Sequence, residues 1–117
     1  MEKISQEFGK HYLIELSGCN PDIISRVETV RDIFLEAAQR SKANVVNHFF
    51  HQFTPVGVSG VIVISESHFA VHTWPESSYA AADILSCGEM DVQTAIDVLS
   101  ERFQASKIDV RVEKRGV

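Results

Sequence analysis

Cysteine is scarce in this 117-residue chain: Cys19 and Cys87 are the only two, too few for a disulfide scaffold. No apolar run approaches the roughly eighteen residues of a membrane span, and residues 1–10 lack the apolar segment of a secretory leader. A membrane protein is therefore not expected, and a reduced, cytoplasmic setting is. Basic residues are outnumbered, 11 Lys+Arg against 16 Asp+Glu for a formal charge of −5, and the one adjacent basic pair is Lys114-Arg115. That scatter excludes the clustered basic face of a nucleic-acid binder. It leaves room for a cationic small molecule. Repeats, low-complexity tracts and linkers are missing as well, so residues 1–117 are expected to form one domain.

What is present is the composition of an ordinary soluble globule, 44% hydrophobic and 23% charged. Residues 1–8 read as polar and loose, and 10–16 as a strand. Asn20-Pro21-Asp22 has the form of a helix start: a side-chain cap, a proline at the first helical position and an acid in the first turn. Ile23, Val27, Val30, Ile33, Phe34, Ala37 and Ala38 follow at helical spacing, which predicts one helix to about Ser41. Strands are expected over 44–53, 58–64, 69–74 and 79–86. The three alanines of the last favour helix, but Pro75, the Ser77-Ser78 pair and Cys87-Gly88 bound it too tightly. A second helix over 91–103 and a strand over 107–112 complete the order β-α-β-β-β-β-α-β. The fold class this implies is α+β, a two-layer sandwich with a largely antiparallel sheet and two helices on one face.

The chemistry centres on residues 57–76. A β-branched run ends at Ser65-Glu66-Ser67-His68, and an alternating segment resumes at Phe69. That knot contains no Gly, Pro, Asn or Asp to relax a turn, and offers hydroxyls, a carboxylate and an imidazole instead. His68 and His72 have the spacing of a zinc pair on a helix. On a strand the same spacing puts them about 13 Å apart, too far for one ion, so no metal is expected. A serine hydrolase is disfavoured too, because Gly57-Val58-Ser59-Gly60 is not the nucleophile-elbow pattern.

The remaining reading is self-processing, and here the chain resembles the prokaryotic S-adenosylmethionine decarboxylases. The resemblance is carried by Phe53-x-Pro55-x-Gly57-Val58-Ser59-Gly60, by Ile64-Ser65-Glu66-Ser67-His68 through Val71-His72-Thr73-Trp74-Pro75-Glu76, and by Tyr79-Ala80-Ala81-x-Asp83 with Cys87-Gly88. It extends from His11 to Gly116. It implies a proenzyme cut between Glu66 and Ser67 into a 1–66 β chain and a 67–117 α chain. Ser67 Oγ attacks the Glu66 carbonyl to give an ester, loss of the Ser67 α-proton expels the carboxylate, and hydrolysis leaves a pyruvoyl group. That covalent cofactor forms a Schiff base with the substrate and serves as electron sink for decarboxylation in spermidine (polyamine) synthesis. By the same resemblance His72 is the processing base, Ser59 assists it, and Cys87 returns a proton to the product. Phe53 stacks on adenine, the Phe69 backbone lies near the base edge, and Glu76 accepts from the ribose hydroxyls. His11, His48, His51 and Cys19 are read as structural.

Ser67 and His72 lie five apart. On one regular strand they face opposite sides about 16 Å from each other, beyond direct proton transfer. A two-fold dimer could bring His72 of one chain to Ser67 of the other. The resemblance implies such a homodimer of αβ units, with two shared sites across a sheet edge. On that reading Phe53, Ser59, His72 and Glu76 come from the partner of the chain that gives Ser67. The chain departs from the family's usual pattern at Ser77-Ser78, where a Gly is common, at Leu85-Ser86 before the cysteine, and in closing soon after Arg115-Gly116. The substrate alternatives are ornithine or arginine, decarboxylated by the same pyruvoyl chemistry. A non-catalytic, unprocessed paralogue is a further alternative.

Overall fold

The computed structural model describes residues 5–117. Its six strands are β1 (Glu7–Ser17), β2 (Val45–Gln52), β3 (Val58–Ile64), β4 (Ser67–Trp74), β5 (Tyr79–Ser86) and β6 (Lys107–Gly116). Its helices are α1 (Pro21–Ile24), α2 (Val27–Arg40) and α3 (Val92–Arg102), with a single 3₁₀ turn at Pro75–Ser77. The strands form one sheet in the order β2-β3-β4-β5-β1-β6, and each neighbouring pair is antiparallel. The expected α+β sandwich is what forms. No helix of the described residues is long and apolar enough to cross a membrane.

Period-two alternation places one set of strand residues under the helices. Ile14, Leu16, Val58, Ile62, Ile64, Phe69, Val71, Ala80, Ala82 and Ile84 are buried there against Phe34, Leu99 and Phe103 from the helical layer. Each fully buried large side chain stabilises the fold by about 1.5–3 kcal/mol. Among the described residues the opposite face carries no second layer. The strand register aligns Phe49, Val61, Ala70, Asp83 and Leu13 in one row across it, and Asn47, Val63, His68, Leu85 and His11 in the next. Phe49, Val61, Val63 and Trp74 are exposed on that face.

Two differences from the sequence expectation have physical causes. The single helix expected to reach Ser41 is broken at Ser25-Arg26, where Arg26 takes an extended conformation (φ −117°, ψ 137°). Groups from elsewhere hold the break open. Gln52 Oε1 accepts from Val27 N–H at 2.7 Å, Gln52 Nε2 donates to the Ser25 carbonyl at 2.9 Å, and Thr73 Oγ1 donates to the Ile24 carbonyl at 2.8 Å. With those partners supplied by the sheet, the helix loses nothing by stopping. At the other extreme, β1 begins at Glu7, inside the stretch read as loose, because Glu7 and Gly9 pair with Gly116 and Arg115 of β6. The rest of that reading, residues 1–4, lies outside the described residues.

Candidate active site

The turn between β3 and β4 is a two-residue loop, Ser65-Glu66, closing the Ile64–Ser67 pair. Tight two-residue hairpins normally place their positive-φ residues inside the loop. Here neither loop residue has positive φ, and Ser67 takes it instead (φ +152°). For a residue with a Cβ this is a strained conformation. Contacts from outside the hairpin hold it. The Glu66 carbonyl oxygen accepts from the Cys87 main-chain N–H at 3.0 Å, and Cys87 Sγ lies 2.7 Å from the same oxygen. Ser67 Oγ lies 3.8 Å from that sulfur. Asn44 grips the residues just before: its carbonyl accepts from Ser65 N–H at 2.9 Å, its N–H donates to Glu66 Oε1 at 3.2 Å, and its Nδ2 donates to Ser65 Oγ at 3.0 Å. Gly88 is required beneath them, since a Cβ there would meet Glu66 Cγ at 2.6 Å.

Two donors aimed at one carbonyl polarise it and stabilise the oxyanion that forms when a nucleophile adds. A hydroxyl, that of Ser67, stands one residue on. Cys87 is exposed and at the surface of a cavity of about 230 Å³, lined also by Phe8, Lys10, Tyr12, Ser86 and Met90. Cys19 differs in every respect. It is buried, burial pushes its thiol pKa up, and it packs in the core as expected.

His72 sits at the far end of β4 on the uncovered face. Its Nδ1 is 2.7 Å from Ser59 Oγ, across the directly paired β3 position. Phe53, Val56, Gly57, Ser59, His72, Thr73, Trp74 and Glu76 line a second cavity of about 270 Å³. The bend that delivers Glu76 turns on Ser78, which occupies the left-handed region (φ +50°, ψ +39°) that a glycine would fill without strain. Trp74 stacks on Tyr79 with ring centroids 5.4 Å apart. Tyr79 donates to Glu15, and this hydrogen bond, with burial and the carboxylate charge, pushes its phenol up to about 12.

The residues singled out from sequence thus fall into two groups. Glu66, Ser67 and Cys87 meet at one end of β4, and Phe53, Ser59, His72 and Glu76 meet at the other. Ser67 and His72 stand five positions apart along the strand, about 16 Å. Phe69 joins neither group. Its side chain is fully buried in the core, so only its main chain is left for the contact the resemblance implies. Two residues and one pairing escaped the sequence reading. Phe8 was hidden in a stretch taken as loose, Asn44 was read only as the start of a strand, and the pairing of His68 with Asp83 is made only by the sheet.

His68 Nε2 and His11 Nε2 lie 2.6 Å and 2.7 Å from the same oxygen, Asp83 Oδ2. Burial raises the Asp83 pKa, but the hydrogen bonds and charge of the two imidazoles outweigh it and leave the carboxyl below its ordinary value. The stabilisation this represents is present above the free-carboxyl pKa near 3.9 and is lost as pH falls through the lower folded value.

Comparison with known proteins gives the family. Residues 10–116 match the family model described as S-adenosylmethionine decarboxylase. The chain belongs to the S-adenosylmethionine decarboxylase family. The S-adenosylmethionine decarboxylase proenzyme of Pyrococcus horikoshii is 46% identical over 110 residues, covering 93% of this chain and 79% of that protein. The proenzyme of the same name from Pelotomaculum thermopropionicum is 47% identical over 113 residues, 96% of this chain and 90% of that one. The crystal structure of the adenosylmethionine decarboxylase from Aquifex aeolicus superimposes with a TM-score of 0.90 at 32% identity, covering 97% and 94% of the two chains.

Proposed function

We propose that this chain is a self-cleaving S-adenosylmethionine decarboxylase of polyamine synthesis, which converts Ser67 into a pyruvoyl group. The observation that carries the reading is the Glu66 carbonyl, held between the Cys87 N–H and thiol with the Ser67 hydroxyl next in the chain. Ser67 Oγ adds to that carbonyl and the Glu66–Ser67 C–N bond breaks to give an ester. Loss of the Ser67 α-proton then breaks the Cβ–Oγ bond and expels the Glu66 carboxylate. Water hydrolyses the resulting dehydroalanine, through its imine, to the keto group with release of ammonia. The pyruvoyl group, once present, supplies an electron-withdrawing carbonyl for decarboxylation. The chain's own groups do the rest. On this reading Cys87 hands a proton to carbon at that end, and His72, whose Nδ1 is 2.7 Å from Ser59 Oγ, takes one. Phe53 and Trp74 offer aromatic faces to an adenine ring or a sulfonium cation, and Glu76 offers a carboxylate to ribose hydroxyls. The relatives reported above are named for S-adenosylmethionine, and the aromatic cavity suits a nucleoside better than ornithine or arginine. Ser67, His72 and Cys87 are all present, which speaks against an inert paralogue.

The split of the site along β4 supports a homodimer. The sequence expectation was a sheet edge, but the open face of the sheet is the better surface. It carries Phe49, Val61, Val63 and Trp74 beside Ser59 and His72. Two such faces packed about 10 Å apart would bring the His72 end of one chain to the Ser67 end of its partner. Co-expressing Ser67→Ala and His72→Ala chains tests both claims. Each variant alone is expected to stay whole, and the mixture to yield fragments 1–66 and 67–117 from the His72→Ala chains. Absence of cleavage in verified mixed dimers sinks sharing. An uncut wild-type chain sinks the decarboxylase reading itself.

A further inference from the structure

Cleavage at Glu66 creates a hazard for the enzyme it makes. Residue 67, until then held on both sides by covalent bonds, becomes the first residue of a free chain end. Chain ends fray unless something ties them down. The reactive group sits on that end, linked to the rest of β4 through the nitrogen of His68. Ladder pairing with Ile64 and Ser86 is available to residue 67, but it is the last rung of its strand.

We infer that Arg115, His11 and Asp83 form an anchor that grips His68 and holds the new chain end in register after the cut. The anchor runs across four adjacent strands, β6, β1, β5 and β4, on the uncovered face of the sheet. Arg115 Nη1 is 3.0 Å from His11 Nδ1, His11 Nε2 is 2.7 Å from Asp83 Oδ2, and His68 Nε2 is 2.6 Å from that same oxygen. The direction of each bond follows from chemistry. A guanidinium only donates, so His11 Nδ1 accepts and its proton resides on Nε2, which donates to Asp83. His68 Nε2 donates to the carboxylate in turn. The two imidazole rings meet edge to face with centroids 5.8 Å apart, which leaves neither much freedom to turn.

The same three ligand atoms lie within 4.8 Å of one another, close enough to suggest a metal site. Arg115 argues against one. A histidine that binds metal through Nε2 carries its proton on Nδ1 and needs an acceptor there, whereas Arg115 presents a donor. The set is complete as a hydrogen-bonded anchor. It rests on the cleavage proposed above, because only a cut chain has an end to hold.

The test compares cut and uncut protein by hydrogen exchange of the main-chain amides of residues 68–71. In cut protein, Asp83→Asn is expected to speed exchange there about ten- to a hundredfold, since it weakens two charge-assisted hydrogen bonds. In the Ser67→Ala background, where the chain is continuous, the same substitution is expected to change it by less than about threefold. Decarboxylation by the cut variant should fall in kcat with KM nearly unchanged, as a misplaced reacting group requires. His11→Phe, which leaves the Asp83–His68 bond intact, should give a smaller effect of the same pattern, and it stands in should Asp83→Asn fail to fold or cleave. Exchange unchanged at 68–71 in the cut variants, or raised equally across all strands, overturns the anchor. So does zinc bound one per chain by the wild type and lost in His11→Phe. A wild-type chain that never cleaves is a different result, and it sinks the decarboxylase reading instead.

Discussion

At its first residue β4 carries a strained serine facing a thiol and a main-chain amide, and five residues on it carries an imidazole bonded to a hydroxyl. The Ser67 end is held by short contacts from Asn44 and Cys87, both from segments outside the hairpin, over a glycine, Gly88, whose missing Cβ leaves room for Glu66. The His72 end borders a cavity of about 270 Å³ lined by aromatic and acidic groups, among them Phe53, Trp74 and Glu76. On the proposed reading one end is tensioned to break a bond, and the other is shaped to receive a molecule. The difference teaches how a single strand could serve both purposes without interference: 16 Å or so of ladder insulates the strained residue from the cavity. The same separation is what the proposed dimer would bridge.

Cys87→Ala should break this contrast most severely, because it strips the thiol from the tensioned end. One donor to the Glu66 carbonyl survives in the main chain, so cleavage should slow by about ten- to a hundredfold rather than stop. Carbon dioxide release per cut chain should fall further, by about a hundredfold or more, because the proton donor is gone. Fragment bands on a denaturing gel read the first effect and product assay the second. Equal losses in both would show that the thiol does not serve cleavage separately.

Asn44→Ala sharpens the contrast. It removes the Nδ2 bond to Ser65 but keeps the main-chain bonds, and the site is exposed, so cleavage should slow only about five- to tenfold. Turnover per cut chain should be unchanged, since Glu66 is then a free chain end with no part in decarboxylation. The ratio of the two rates is the measurement. Smallest of all is Ser78→Gly at the bend below the His72 end. Relief of the left-handed conformation should add about 1 kcal/mol, or roughly 3–6 °C in Tm. Cleavage should not respond, and a change in it would mean that the two ends are coupled.

Much of this molecule was legible in advance, and for reasons that hold locally. A β-branched run made β3 readable, alternation made β4 readable from Phe69, and the bounding Pro75, Ser77-Ser78 and Cys87-Gly88 marked β5, which runs over the expected residues 79–86. The Asn20 cap is present, its side chain accepting from Asp22 N–H at 3.0 Å. Ser67, His72 and Cys87 stood out because their residue types in that order carry the family resemblance. The break at Ser25-Arg26 was invisible because its causes, Gln52 and Thr73, lie more than twenty residues away along the chain. Strand character at Glu7 depends in the same way on β6, nearly the whole chain distant.

Residue order sufficed for whatever a segment decides with its immediate neighbours: periodicity, caps, turn chemistry and the list of reactive side chains. Sheet pairing decided what those side chains do for one another. It brought Cys87 onto the Glu66 carbonyl, joined His11 and His68 through Asp83, and kept Ser67 away from His72 by the plain length of a strand. Hydrogen bonds act over about 3 Å, and only the folded sheet sets distances that small between residues that far apart in the chain.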